Sequence, residues 1–386
     1  MTSNDARLGV AVIGFGWMGR VHTQAYARLP HHFPGLRARP ELIAVADDVP
    51  GRAEQAAAQF GFATAVHDWR AIVDDDRVRA VSIAAPNFLH REIGVALASA
   101  GKHLWIEKPV GLTAQDAGAV AAAATAAGVQ TTVGFNYRHA PAVQAARDMI
   151  AAGDLGRLTH LRVHFFSDYA AHPDGALTWR FERARGGNGV LGDLASHAVD
   201  LAVHLAGEID SLVADTGIFI PRRPRPSGAT AGHSLASGGE SGPVENEDYV
   251  STLVRFAGGG HGVVEASRVA VGEQNAYGFE VHGTRGALFW DFRRMNELGV
   301  SVGESYQDQP VATVHVGPGA GDYASFQPGS AISMGYDDLK VVEARNFLTS
   351  ILDGKPCGAT IHDAVRSATT LDAITRSVST GAWVSL

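Results

Sequence analysis

Asp193, His197, Asp200 and His204 share one stretch, GGNGVLGDLASHAVDLAVHL, from Gly186 to Leu205. Asp193 and His197 are four residues apart. That spacing puts two side chains on one helix face, with Cβ atoms roughly 5–6 Å apart. An imidazole beside a carboxylate is oriented by it and kept basic, which suits a general base near neutral pH. The same residues also fit buried, satisfied polar groups, and an aspartate early in a helix complements its dipole. No third ligand is spaced convincingly near Asp193 and His197, so no metal site is expected. Asp200 and His204 continue the row more loosely and are read as structural.

Two further constellations carry chemistry. The first is Gly14-Phe15-Gly16-Trp17-Met18-Gly19, a G-x-G-x-x-G that follows an apolar run and opens a helical pattern. In that context Gly14 permits a tight turn. Gly16 lets backbone approach a pyrophosphate, and Gly19 lets helix and strand pack closely. The second is Glu107-Lys108-Pro109 after another apolar run. The proline keeps Lys108 extended, and an ammonium there can hydrogen-bond a reacting oxygen and stabilise an alkoxide. Asp47 and Asp48 close the second apolar run, where an acid can bind adenosine ribose hydroxyls. A 2′-phosphate would meet two carboxylates before the first basic residue, Arg52, so NAD is expected over NADP. Together these features offer what hydride transfer between a hydroxyl and a nicotinamide needs, with Lys108, Asp193 and His197 as candidates to handle the proton; from its tripeptide alone Lys108 reads as readily as a surface lysine in a turn. The glycines before Asp193 are read as backbone room beside the cofactor.

The elements that position these residues follow two grammars. Up to residue 136, apolar runs (8–14, 41–47, 79–86, 103–109, 130–136) alternate with helical patterns (17–29, 51–61, 90–101 and the alanine-rich segment near 117–129). Residues 29–40 read as an inserted loop. This is the α/β, doubly wound parallel-sheet pattern of a Rossmann domain. After residue 136, strand-like runs with short turns dominate, and helices are expected near 340–353 and 361–376. An α+β domain with an open, mostly antiparallel sheet fits. The expected division is 1–136 for nucleotide binding and 137–386 for substrate and oligomerisation, with a mobile Pro/Gly/Ser-rich loop near 221–245.

Composition bounds the rest. A chain of 386 residues with 46% hydrophobic and 19% charged residues is globular and long enough for two cores. Its net charge of −8, with both signs interspersed, argues against nucleic acid or an anionic membrane as partner. A single cysteine, Cys357, excludes an internal disulfide. The opening MTSNDARLGVAVIG has no basic segment followed by a long apolar one, so no signal peptide is expected. No apolar run reaches membrane-spanning length. Cytoplasmic residence follows as the default. Three strings are decoys. Gly299–Gly303, GVSVG, has strand-like surroundings rather than those of a nucleophile elbow. His160 and His164 fit half-buried strand positions, and His31 and His32 fit a solvated loop.

In combination, GFGWMG, AAPNFLH (84–90), EKP, FNYR (135–138) and GGNGVLGDLASHAVD resemble the Gfo/Idh/MocA oxidoreductase family over nearly the whole chain. LTWR (177–180), VENED (244–248), SRVA (267–270) and RMNEL (294–298) are similar to its scyllo-inositol/L-glucose and levoglucosan types. The resemblance implies NAD-dependent oxidation of a ring hydroxyl of a sugar or cyclitol. It implies Lys108, Asp193 and His197 as the catalytic set, and Pro86, Asn87, His90 and Glu107 beside the cofactor. Arg180, Asn136 and Tyr137 become candidate substrate contacts. A homodimer or homotetramer through the second sheet is implied as well. A redox-cycling lyase or glycosidase with tightly held NAD is the alternative.

Overall fold

The computed structural model describes residues 6–228, 234–236 and 239–386. Residues 1–5 of the leader reading, and 229–233 and 237–238 of the expected loop, lie outside the described residues. The chain forms two compact units: Met1–His139 with Gly335–Arg366, and Ala140–Met334 with Ser367–Leu386. The stretch 335–366, assigned from sequence to the second domain, is thus grouped with the first unit.

The first unit holds β1 (Ala6–Ile13), α1 (Trp17–His32), β2 (Ala38–Ala46), α2 (Arg52–Phe60), β3 (Thr64–Val66), α3 (Arg70–Val73), β4 (Ala80–Ile83), α4 (Asn87–Ser99), β5 (His103–Ile106), α5 (Ala114–Ala127) and β6 (Thr131–Val133). The strands form one parallel sheet in the order β3-β2-β1-β4-β5-β6. Their apolar runs are buried on both faces, as in Val10–Val12 and Ala80–Ile83. Local signals set the helix ends. Thr113 caps α5 by accepting from Asp116 N, and Gly128 ends it in the left-handed region. The expected loop at 29–40 is corrected. Helix α1 runs through Pro30 to His32 and β2 begins at Ala38, leaving a short connection. Pro40 is tolerated because β3 pairs with β2 only from Ala44 onward. The strand β3 was not anticipated, being three residues long.

The second unit opens with α6 (Pro141–Ala152) and β7 (Leu158–Phe166), followed by α7 (Arg183–Gly186), α8 (Ser196–Ala206) and β8 (Ile209–Gly217). Next come β9 (Arg222–Pro224), β10 (Ser241–Pro243), β11 (Tyr249–Phe256), β12 (His261–Ser267), β13 (Ala276–Gly283), β14 (Gly286–Asp291), β15 (Glu297–Val302) and β16 (Ala312–His315). Helix α9 (Tyr336–Asp353) belongs to the first unit. Helix α10 (Ile361–Thr380) crosses the division, and β17 (Val384–Ser385) ends the chain. The nine-stranded sheet has the order β16-β15-β14-β13-β7-β12-β11-β8-β17. Every neighbour pair is antiparallel except β7 and β12. Alternation in β7 turns Leu161, Val163 and Phe165 inward, and α8 covers β7 and β12. Within the expected loop, β9 and β10 pair as a two-stranded ribbon. The GVSVG string runs through the end of β15 to Gly303, with no helix following it before β16.

Candidate active site

At the nucleotide end, Gly14 has φ +84°, and a Cβ on it would meet the Ala84 carbonyl oxygen at 2.7 Å. A Cβ on Gly19 would lie 2.0 Å from the Gly14 oxygen, so only glycine allows this helix-to-turn approach. Gly16 faces open space and caps α1 without any side-chain hydrogen bond. The first-turn N–H groups of this 16-residue helix, left without a side-chain cap, are the kind of donors an anion takes up. This donor set fits a dinucleotide pyrophosphate. Asp47, at the end of β2, accepts from Phe15 N at 2.7 Å and Val49 N at 2.9 Å, and pairs with Arg52 at 3.3 Å. It braces the glycine loop. Trp17 is exposed, its ring stacked on Tyr336 at 5.4 Å; Met18 Sδ accepts from the Tyr336 hydroxyl.

Pro86 and Asn87 form the start of α4. His90, three residues on, is buried, and its ring nitrogens reach the carbonyl oxygens of Ala85 and Pro109 at 2.7 and 2.8 Å. It thereby ties the Pro86 turn to the EKP turn, while burial holds its imidazole below the ordinary range. The Lys108–Pro109 bond is cis. Lys108 is half-buried. Glu107 points inward into a network that sequence reading missed. Its Oε1 lies 2.8 Å from His22 Nε2 and 2.5 Å from Lys340 Nζ. Lys340 also donates to Glu343 Oε2 at 2.8 Å, which accepts from Trp105 Nε1 at 2.9 Å. His22 stacks on Trp105 with ring centroids 3.6 Å apart. Burial opposes ionisation of Glu107, but the Lys340 ammonium and the His22 hydrogen bond outweigh it and hold the carboxyl below the usual range. Burial wins at Glu343, pushed up to about 7, and at His22, brought down to about 4. One histidine and two glutamates thus surround an ammonium rather than converging on open space. Asn136 and Tyr137 sit in a short 3-10 turn of the same unit. Asn136 is fully buried beside Tyr336, and Tyr137 meets the Tyr336 ring edge-on.

In the second unit, the regular helix expected over Asp193 and His197 is replaced at its start. Leu191–Ala195 forms a π turn, and α-helix begins at Ser196. A π turn closes from i to i+5, so residues four apart return almost to the same face. Asp193 Oδ2 accepts from the Tyr169 hydroxyl at 2.5 Å. His197 is buried; its carbonyl accepts from the Tyr277 hydroxyl at 2.9 Å, and its ring lies 6.1 Å from Phe165. Asp200 is buried in the same helix, and the His204 carbonyl accepts from Arg147. The reading of the preceding glycines as room beside a cofactor is corrected at two of them, Gly186 and Gly189. A Cβ on Gly186 would strike the Arg180 oxygen at 2.6 Å, and one on Gly189 the Glu247 oxygen at 2.3 Å. Protein backbone fills that room.

The VENED and SRVA strings supply this support. Asp248 and Arg268 form a buried ion pair at 2.8 Å. Asn246 donates to the carbonyls of Arg180 and Gly187, and Glu247 accepts from Leu191 N at 3.1 Å. Arg180 lays its guanidinium over Trp179 at 4.5 Å. The structure therefore places Lys108, Glu107, Asn136, Tyr137 and the glycine loop in the first unit, and Asp193, His197 and Arg180 in the second. Tyr169 carried no sequence signal beyond following a strand. Lys340 and Glu343 carried one: an i, i+3 charge pair inside the apolar run of α9.

Comparison with known proteins agrees with this layout. Residues 8–135 match the oxidoreductase family with an NAD-binding Rossmann fold, and residues 143–289 match the GFO/IDH/MocA C-terminal domain. The chain is 38% identical over 380 residues to levoglucosan dehydrogenase of Pseudarthrobacter phenanthrenivorans, covering 98% of this chain and 97% of that one. It is 29% identical over 285 residues to scyllo-inositol 2-dehydrogenase (NAD(+)) of Bacillus subtilis, covering 72% of each chain. A solved levoglucosan dehydrogenase in complex with NADH and levoglucosan superposes with a TM-score of 0.92 at 36% identity. The match covers 98% of this chain and 99% of that one.

Proposed function

Because this chain belongs to the Gfo/Idh/MocA family of NAD-binding oxidoreductases, we propose that it oxidises a ring hydroxyl of a sugar or cyclitol to the ketone. Anhydrohexoses of the levoglucosan type are the first candidates, then inositols and hexoses. The reading is carried by the end-to-end likeness to a levoglucosan dehydrogenase in a chain that carries Lys108, Asp193 and His197. NAD, when bound, supplies the hydride acceptor. The chain's own residues do the remainder. The Lys108 ammonium donates to the substrate hydroxyl oxygen and stabilises the alkoxide as charge develops. His197 takes the hydroxyl proton as the electron pair of the C–H bond departs with its hydrogen. Asp193 orients the imidazole and favours its protonated form. Gly14, Gly16 and the α1 N-terminus would hold the pyrophosphate, and Asp47 would read the ribose, disfavouring a 2′-phosphate.

Two further readings go with it. Exposed apolar side chains on the large sheet, Leu253, Val302 and Val314, support assembly of dimers or tetramers through that sheet. Among the described residues no helix is long and apolar enough to cross a membrane, which is in keeping with cytoplasmic residence. The test is direct: incubation with NAD and a panel of anhydrosugars, inositols and hexoses, followed at the NADH absorbance band. One NADH formed per ketone is expected. Product without net NADH would replace the reading with a redox-cycling lyase or glycosidase, and no reaction across the panel would remove the substrate class.

A further inference from the structure

We propose that Tyr169 is a positioning residue for Asp193, its hydroxyl fixing the carboxylate through Oδ2. The inference rests on the reading of Asp193 as part of the reacting site. The O–H···O distance of 2.5 Å is that of a charge-assisted bond.

The phenol is held from both sides. On the sheet side, Ser167 N donates to Ser267 O at 2.8 Å and Ala170 N to Arg268 O at 3.0 Å, extending the β7–β12 pairing past Tyr169. On the other side, its ring packs against the cluster of Ala170, Leu177, Phe181 and Val244. The β9–β10 ribbon contributes to this clamp through Pro224, whose carbonyl accepts from Leu177 N at 2.8 Å, and through Arg223. The Arg223 guanidinium, almost fully buried, donates to the Ala170 and His172 carbonyls and lies 4.4 Å from the Phe181 ring centroid. Arg268, fixed by Asp248, is the second cation on that ring, at 4.6 Å. Burial and the adjacent Asp193 charge push the Tyr169 hydroxyl well above its ordinary range, so it remains a donor throughout the working pH range. The described residues between β8 and β11 thus reach the reacting helix through Tyr169 as well as directly through Glu247, which accepts from Leu191 N.

Tyr169→Phe tests this with the full chain. A hydroxyl donating to a carboxylate favours its ionised form. The acid limb of the kcat/KM profile should therefore move up by about one pH unit, and kcat should fall roughly 10–100-fold. NAD affinity, read by fluorescence titration, should stay within about twofold. Tyr169→Leu, also without the hydroxyl, must give the same limb shift whatever its Tm. In the Asp193→Asn background, Tyr169→Phe should add less than about a twofold loss. If Asp193→Asn is inactive while Tyr169→Phe keeps the wild-type acid limb, the positioning role is refuted and the site reading stands. If Asp193→Asn turns over normally, the site reading fails and takes this inference with it.

Discussion

Lys340→Met probes the buried charges behind the EKP turn. The substitution keeps the length and apolar stem but removes an ammonium 2.5 Å from Glu107 and 2.8 Å from Glu343, in a side chain with no exposed surface. Glu343, already raised to about 7, can meet the loss by taking up a proton. Glu107 is left with His22 alone, a ring held near pKa 4 by burial and by Lys340 itself. Removing one partner of a buried pair costs about 3–5 kcal/mol. At roughly 2–4 °C per kcal/mol for a unit of this size, the Tm should drop by about 10 °C at pH 8. The pH dependence gives the sign. In the native protein the Glu107 pKa is depressed, so its stabilisation is present above the ordinary carboxylate pKa and lost as pH falls through the folded value. In the variant the folded pKa is raised instead. Its penalty is present at high pH and is relieved on acidification, when Glu107 or His22 binds a proton. The Tm gap should therefore shrink between pH 8 and pH 5, and adding Glu107→Gln should recover part of it at pH 8. Thermal unfolding followed by circular dichroism reads both. A gap below about 1 kcal/mol, or one that widens in acid, would refute the electrostatic account of this cluster.

Other expectations follow from the same geometry. His197→Ala should lower kcat by about 10²–10⁴-fold while NAD affinity stays nearly unchanged; near-normal turnover would remove it as the base. Asp47→Ala withdraws the acceptor from Phe15 N and Val49 N and leaves Arg52 without its carboxylate. NAD binding should weaken roughly 10–100-fold, and the NADP-to-NAD ratio of kcat/KM should rise; an unchanged ratio would sink the role given to Asp47. His22 and His139 are fully buried and held at about 4 and 3, so their stabilisation is whole above pH 6.5 and is lost as pH falls toward those values. Glu343, raised to about 7, acts oppositely between its ordinary value and pH 7. For these three groups together the net is a loss of stability on acidification below pH 6.5, on the order of 1.4 kcal/mol per pH unit; His103, also brought down to about 4 by burial, adds in the same direction. Glu343→Gln should steepen that slope, and denaturant titrations that show no steepening would contradict the assignment.

The nucleotide end was legible because its chemistry is local. A turn that admits only glycine, a helix that follows at once, and an acid closing the next strand are all written within a few dozen residues. The alternation of buried strands with helices likewise carried the Rossmann sheet, and the period-two runs carried the second sheet. Asp193, His197 and Lys108 could be singled out by type and spacing. The structure adds where each sits: the π turn under Asp193, and the backbone at Arg180 and Glu247 that fills the space beside the glycines.

The misses share one cause, distance along the chain. Helix α9 lies more than 200 residues after β5, yet its Lys340 neutralises Glu107. No local rule marks a lysine as the partner of so remote a carboxylate, since burial, which makes the pairing obligatory, exists only after the chain has closed. Tyr169 and Asp193 are 24 residues apart and on different elements, and they meet only because β7 and α8 pack together. By itself the sequence determined the class of cofactor, the two architectures and the residue types able to move a proton. Tertiary structure alone decided which buried charges compensate one another and which hydroxyl fixes the carboxylate, because those depend on desolvation and on contacts that no local pattern encodes.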